Sequence, residues 1–168
     1  MIKTFSCKTP KISPSGWVSE AAYVIGEVEI GDNSSIWPGA VVRGDLGKIV
    51  IGKESQVEDN SVIHTAAGIT IGDQVHIGHS VVVHCARIGN KVLIGNHAVL
   101  LDNSEIGDNC IIAAGSLVSP GMKIPPGSFA AGSPAEVKGK ARPEQLEYLS
   151  KGIEHYLKLT KEYKEQGF

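Results

Sequence analysis

The fold is decided by residues 71–100, which read IGDQVHIGHSVVVHCARIGNKVLIGNHAVL. In this stretch an Ile, Val or Leu recurs at almost every sixth position, and glycine often follows it. The same step extends from residue 30 to residue 124 and reaches sixteen positions that are all aliphatic. These positions are Ile30, Ile36, Val42, Ile51, Val57, Ile63, Ile71, Ile77, Val83, Ile88, Ile94, Leu100, Ile106, Ile112, Val118 and Ile124. The repeat accounts for the high glycine content, 20 of 168 residues, against an average share of roughly 7%.

A step of six residues predicts short β-strands that are separated by turns. Each aliphatic residue and the small residue two places before it point to the same side of a strand, and glycine relieves backbone strain in the turn. The spacing departs from six only after Val42, Ile63 and Val83, always after a third repeat, so three strands make one coil. Such repeats indicate a parallel β-helix whose coils stack through backbone hydrogen bonds, and we expect about five to six coils.

The C-terminal part of the chain has a different period. Pro143 is a favourable first residue of a helix, and apolar side chains then recur near the helical spacing. They are Leu146, Leu149, Ile153, Tyr156, Leu157, Thr160 and Tyr163. The sequence predicts an all-β fold with one helix, over about 143–164, that lies along the outside of the β-helix. We expect a single domain over residues 1–168, with the β-helix and its closing connector at about 17–135.

Composition excludes several classes of function. The formal net charge of −2 and the pI near 6.3 provide no general basic surface for nucleic acid or anionic membranes, and no apolar run is long enough to span a bilayer. Three cysteines (Cys7, Cys85 and Cys110) are odd in number and contain no CxxC pair, which fits a reducing compartment. We therefore expect a cytoplasmic protein without nucleic-acid or membrane partners.

Two of the six histidines fall in one column of the predicted β-helix. His64 follows Ile63 and His84 follows Val83, and both residues belong to the third strand of their coil. Stacked coils lie about 4.8 Å apart. The two outward imidazoles are therefore close enough to share a metal ion at about 2 Å from each nitrogen.

His79 lies on the second strand of its coil, and a corner of the triangle separates it from His84. One metal ion reaches all three histidines if the second face of one copy packs against the third face of another. Three copies around a threefold axis close such an assembly, so we expect a homotrimer with metal sites between subunits. In this arrangement Arg43, one coil below His64, meets Asp59, one coil below His79, and the two form a favourable ion pair.

The other histidines and the cysteines are expected to have structural places. We expect His76 on the surface, because it precedes the inward Ile77, and we expect His97 and His155 to be structural or solvated. Cys110 occupies an inward position and is expected in the core. A minor redox or ligand role stays open for Cys85.

Four short motifs resemble the γ-class carbonic anhydrase family: VVRGD at 41–45, DNSVIH at 59–64, IGH at 77–79 and VH at 83–84. The likeness extends over nearly the whole chain, including GSPA at 132–135. Many acyltransferases share the hexapeptide repeat, whereas the Arg-x-Asp motif and the histidine spacing are more specific. The resemblance implies a left-handed β-helix trimer that binds Zn²⁺, or Fe²⁺ or Co²⁺, through His64 and His84 of one subunit and His79 of the next.

The resemblance also implies a reaction and further site residues. Three neutral ligands leave a position for water, the cation lowers the pKa of that water to about 7, and the hydroxide attacks CO₂ to give bicarbonate. Asp45 is implied to accompany the ion pair of Arg43 and Asp59, and Tyr156 is implied to lie near the site. The chain departs from the family where Leu46 and Ala67 replace glutamates for proton transfer.

Glu58 is a third departure, because the family usually has glutamine beside the metal hydroxide at this position. A carboxylate donates a hydrogen bond only when protonated, so we expect Glu58 to act as a proton relay or base.

Two other functions stay open at this stage. A hexapeptide acyltransferase or a thioesterase-like enzyme is one, and the acyltransferase would use a histidine base and coenzyme A without a metal. A non-catalytic trimeric scaffold that keeps its metal for stability is the other. Metal content and CO₂ hydration by the purified protein distinguish the three.

Overall fold

The computed structural model describes residues 1–168 as a parallel β-solenoid of about seven turns that is followed by one helix. The strands are β1 (Ile2–Lys3), β2 (Lys11–Ile12), β3 (Trp17–Val18), β4 (Tyr23–Ile30), β5 (Ser35–Ile36), β6 (Val41–Ile51), β7 (Gln56–Val57), β8 (Val62–His64), β9 (Ile69–Ile71), β10 (His76–Ile77), β11 (Val82–Val83), β12 (Arg87–Ile88), β13 (Leu93–Ile94), β14 (Val99–Leu100), β15 (Glu105–Ile106), β16 (Ile111–Ile112), β17 (Leu117–Val118), β18 (Lys123–Ile124), β19 (Ser128–Gly132) and β20 (Ala135–Lys140). The helix α1 runs over Pro143–Gln166.

The strands stack into three faces. The first face carries β2, the end of β4, the end of β6, and then β9, β12, β15 and β18. The second face carries β3, β5, β7, β10, β13, β16 and β19. The third face carries the start of β4, the start of β6, and then β8, β11, β14 and β17. The long strands β4 and β6 turn the corner from the third face to the first, which joins these two faces into one sheet.

The core lies along the axis of the solenoid, as the repeat predicts. All sixteen aliphatic positions are at most 3% exposed, and a cluster of 30 buried hydrophobic residues runs through the interior. The predicted parallel β-helix with a helix packed along it is confirmed, while the left-handed winding stays a prediction. The expected number of coils is too low: the solenoid has about seven turns, and its first strand on the first face is β2 at Lys11–Ile12. Ile12, Val18 and Val24 continue the six-residue step backward from residue 30.

Helix α1 covers the second face. It begins at Pro143, within the predicted bounds, and ends two residues after the predicted end, at Gln166. The Gln145 side chain accepts a hydrogen bond from the backbone N–H of Arg142 at 2.9 Å, which caps the first turn. Leu149 and Ile153 are buried against the β-helix. No helix in this structure has the length and apolar character that crossing a membrane requires.

Aromatic side chains fasten the helix to the first coils. Trp17 and Trp37 lie 4.9 Å apart between ring centroids, and Tyr163 meets both rings edge-on at 5.5 and 5.2 Å. Such contacts add to the area buried. At the other end, the connector predicted to close the last coil is a β-hairpin, in which β19 pairs antiparallel with β20.

Candidate metal centre

The third face brings His64 and His84 together. Ile63 and Val83 are register partners on this face, so the histidines that follow them lie one coil apart. Their ring centroids are 5.5 Å apart, with an angle of 57° between the planes. The side chains are 15% and 31% exposed, so both rings reach the surface.

Carboxylates orient both rings. Asp45 Oδ1 lies 3.0 Å from Nε2 of His64, and Asp45 Oδ2 accepts a hydrogen bond from Arg43 Nη1 at 2.7 Å. Burial of Asp45 opposes its ionisation, but the hydrogen bond and the charge of Arg43 outweigh it and hold the pKa of Asp45 below its usual value. Asp102 Oδ1 lies 2.9 Å from Nδ1 of His84. One nitrogen of each ring is thereby engaged and the other is left for a metal ion, an arrangement common among metal-binding histidines.

Asp102 was missed at the level of sequence. The sequence could have indicated it. Leu101 follows the inward Leu100 and therefore lies in the same column as His84. The side chain that comes next, Asp102, therefore lies at the corner above His84.

The second face holds the other predicted residues. His79 lies in the turn after β10, with Nε2 at 3.0 Å from Glu58 Oε2 and Nδ1 at 3.1 Å from Asp59 Oδ2. The turn itself is fixed from the coil above, because the backbone N–H of His79 donates to Asn96 Oδ1 at 3.0 Å. A Cβ at Gly78 would lie 2.2 Å from this oxygen, so a larger residue there would push the Asn96 side chain out of this hydrogen bond.

Glu58 is a buried carboxylate, 3% exposed. Its Oε1 lies 2.6 Å from Nε2 of His76, and the hydroxyl of Tyr156 hydrogen-bonds it from helix α1. Burial opposes ionisation of Glu58, yet these hydrogen bonds and the nearby imidazoles hold its pKa below the usual value. The pKa of Tyr156 is raised by burial and by Glu58. Glu58 therefore accepts and Tyr156 donates at neutral pH.

The prediction that His76 is a surface residue is wrong. Its side chain is only 12% exposed, because helix α1 covers the outward side of the second face. The ring meets Tyr156 edge-on, with centroids 5.2 Å apart. By contrast, His97 and His155 are exposed, and Cys85 and Cys110 are buried. Burial raises the pKa of Cys85 to about 12, so this thiol is unreactive.

A cleft of about 540 Å³ separates helix α1 from the second face. Glu58, His76 and His79 line its side on the β-helix, and Tyr148, Lys151 and His155 line its side on the helix. The cleft therefore leads from the second-face residues to solvent.

The two halves stay apart in one chain. No group of three or more His, Cys, Asp or Glu side chains is arranged to hold a metal ion, and Arg43 pairs with Asp45 rather than with Asp59. The metal site and the ion pair between copies therefore stay predictions. Leu46 is 67% exposed and Ala67 is also exposed, so neither apolar residue contributes a proton-transferring group.

The third face also carries an apolar column that sequence analysis missed. Six outward side chains are in register along its length: Tyr23, Val41, Val62, Val82, Val99 and Leu117. Val82 is 39% exposed and Tyr23 is 37% exposed. The other four side chains are partly exposed, and an outward apolar stripe of this kind is a candidate interaction surface. The sequence could have indicated this column, because its members are the residues that directly precede the inward residues of the third face.

Comparisons with known proteins match both the hexapeptide repeat and carbonic anhydrases. Residues 85–120 match the family described as "Bacterial transferase hexapeptide (six repeats)". The chain is 45% identical to a probable carbonic anhydrase of Methanocaldococcus jannaschii, over 89% of this chain and 95% of that protein. It is 35% identical to the mitochondrial gamma carbonic anhydrase 2 of Arabidopsis thaliana, over 91% of this chain and 58% of that protein. Among solved structures, a putative acetyltransferase of Bacillus cereus superimposes with a TM-score of 0.95 and 35% identity, covering 98% of this chain and 97% of that one.

Proposed function

The chain belongs to the γ-class carbonic anhydrase family, and from this premise we propose that it is a metal-dependent carbonic anhydrase that converts CO₂ to bicarbonate. The observation that carries the proposal is the pair of His64 and His84, 5.5 Å apart between centroids. Each ring has one nitrogen held by a carboxylate and one nitrogen available. Neutral imidazole nitrogens are suitable donors for Zn²⁺, Fe²⁺ or Co²⁺.

His79 would complete the ligand set from a neighbouring copy, in a homotrimer. The apolar column of the third face supports this assembly, because it runs beside the two histidines and is partly exposed in the single chain. Charge supports it as well, since Arg43 lies on the third face and Asp59 on the second. A divalent cation at the interface would supply the Lewis acid that makes hydroxide available to CO₂ at neutral pH.

The residues of the chain have separate tasks in this reaction. Asp45 and Asp102 hold the rings of His64 and His84 in orientation. Glu58 is ionised and buried, so it accepts hydrogen bonds, and its lowered pKa suits a relay that passes a proton on rather than a base that retains it. Tyr156 stays protonated and holds one side of that carboxylate. The cleft beside Glu58 leads to solvent and provides a route for the proton.

The test is CO₂ hydration by stopped flow on protein of measured metal content. We expect His79→Ala to lose its metal and to lower the hydration rate by more than about 100-fold, because changes one layer farther from a metal already cost 10–100-fold. The matched control is His97→Asn, an exposed histidine whose positive φ of 58° asparagine tolerates. Full hydration by metal-free protein, or by His79→Ala, would contradict the proposal.

A second candidate function is acyl transfer. The hexapeptide family match and the similarity to a putative acetyltransferase favour it, and the cleft of about 540 Å³ has the size of a small-molecule site. This function needs no metal. Coenzyme A binding by protein that contains no metal, together with no CO₂ hydration after metal addition, would support it over the first.

A further inference from the structure

We propose that His76 is a positioning residue of the metal centre, which fixes the Glu58 carboxylate and, through it, the ring of His79. The inference rests on the proposed function. It goes beyond that function in assigning a task to a histidine that lies outside the set of ligands.

The contacts form a chain from helix α1 to the ligand. His76 Nε2 lies 2.6 Å from Glu58 Oε1, and the other oxygen of the same carboxylate lies 3.0 Å from Nε2 of His79. Because Nε2 of His76 donates to Oε1, the carboxylate cannot turn without breaking this bond. The direction of Oε2, and hence the partner of His79, is set by His76.

Burial decides which of the two contacts of His79 sets its orientation. The Glu58 side chain is 4% exposed, whereas that of Asp59 is 38% exposed. Solvent competes with Asp59 but not with Glu58, so the Glu58 contact is the stronger constraint on the ring.

The His76 ring is itself immobilised. Helix α1 passes directly over it at Gly152, where a Cβ would lie 3.6 Å from Cε1 and Nδ1 of His76. One turn later Tyr156 packs edge-on against the ring at an angle of 82°. The helix thereby transmits a fixed geometry through His76 to Glu58.

Packing alone does not explain a histidine here. Its Nδ1 is buried without a hydrogen-bond partner, which costs free energy. The register partners of His76 on the second face are Gln56 and Leu93, and a leucine at residue 76 would fill the same space without that cost. The bond from Nε2 to Glu58 offsets the unpaired nitrogen.

The experiment compares crystal structures and zinc affinities of wild type, His76→Phe and His76→Gln, with His155→Phe as the matched control on the rim of the same cleft. Phenylalanine keeps the ring but removes the donor. We expect the Glu58 carboxylate of His76→Phe to turn away and its 3.0 Å contact with His79 to be lost, with zinc affinity, measured by competition with a chelator, falling about 10-fold. His76→Gln retains a donor and should recover part of the affinity, and His155→Phe should match wild type.

The crystallographic result decides the inference even where no metal binds. If the Glu58 carboxylate of His76→Phe keeps its 3.0 Å contact with Nε2 of His79, the inference is overturned. It is overturned as well if the zinc affinities of His76→Phe and His76→Gln equal that of wild type. Wild-type protein that binds no zinc would remove the proposed function, while displacement of Glu58 in His76→Phe would still establish the positioning role.

Discussion

The first and third faces of the β-helix share one backbone geometry but carry opposite kinds of outward side chain. On the first face the outward column reads Lys11, Glu29, Val50, Thr70, Arg87, Glu105 and Lys123. On the third face it reads Tyr23, Val41, Val62, Val82, Val99 and Leu117. Neighbours on the first face pair by charge, as Lys123 and Glu105 do at 3.0 Å.

The contrast between the two faces concerns assembly and not folding. Inward residues are alike on both faces, so the contrast does nothing for the core. Outward charges are well solvated, whereas a continuous outward apolar column favours contact with another surface. Only the apolar face carries His64 and His84, so the face on which we propose contact between copies is also the face that carries two of the three proposed ligands.

The largest effect is expected from a charge placed on the third face. A charge placed on the first face of the same coil serves as the control. Val82→Glu on the third face would bury an unpaired carboxylate in the proposed interface, at a cost of several kcal/mol. We expect the homotrimer to dissociate, with association weakened at least about 100-fold, in size-exclusion chromatography with light scattering. Thr70→Glu on the first face is the control and should leave assembly unchanged. A trimeric Val82→Glu protein would show that the apolar column is not the interface.

A smaller effect is expected from exchanging the charges of Arg43 and Asp59. Either Arg43→Asp or Asp59→Arg alone should weaken association by roughly 10–100-fold, because each places like charges together. The double variant should recover about 10-fold of this loss, since the ion pair is restored in reverse. Sedimentation equilibrium measures all three proteins. Additive losses in the double variant would mean that these residues do not meet.

The smallest effect is expected on the first face. Lys48 donates a hydrogen bond to Glu29 at 2.9 Å, and this bond lowers the pKa of Glu29. A lowered pKa stabilises the folded chain above the unfolded pKa, and the benefit is lost as the pH falls through the folded value. Glu29→Gln should therefore lower the Tm at pH 7 by less than about 2 °C.

Calorimetry at two pH values provides the check on Glu29. The difference between Glu29→Gln and wild type should shrink as the pH falls from the ordinary glutamate pKa of about 4.3 through the lowered pKa of Glu29 in the folded chain, and assembly should not change. A large shift of Tm, or loss of the trimer, would indicate that the first face is also an interface.

The core could be predicted from the sequence because the same physical rule applies in every coil. An aliphatic side chain must point inward at each sixth position, so a count of residues locates Ile63 or Leu100 without knowledge of the rest of the molecule. The first coil was missed only because the count began at Ile30 and was not continued back to Ile12.

The site could be predicted from the sequence only in part, since some of its features depend on which secondary-structure elements pack against each other. The register placed His64 beside His84 and Asp59 beside His79, because stacking fixes neighbours within one face. The surface placement of His76 failed, because it depends on which face helix α1 covers, and the hexapeptide period contains no information about that choice. Glu58 was located, but its burial also follows from the helix.

The hairpin of β19 and β20 affects whether another molecule can add to the end of the solenoid. A stack of parallel coils ends in three rows of unpaired peptide groups, and such rows can template the addition of another chain. Here β20 runs antiparallel on the second face, while β17 and β18 end the other two faces in parallel orientation. A second molecule that approached this end would meet edges of two different polarities, so it could not continue all three sheets in register, and the direction of one six-residue strand disfavours end-on addition.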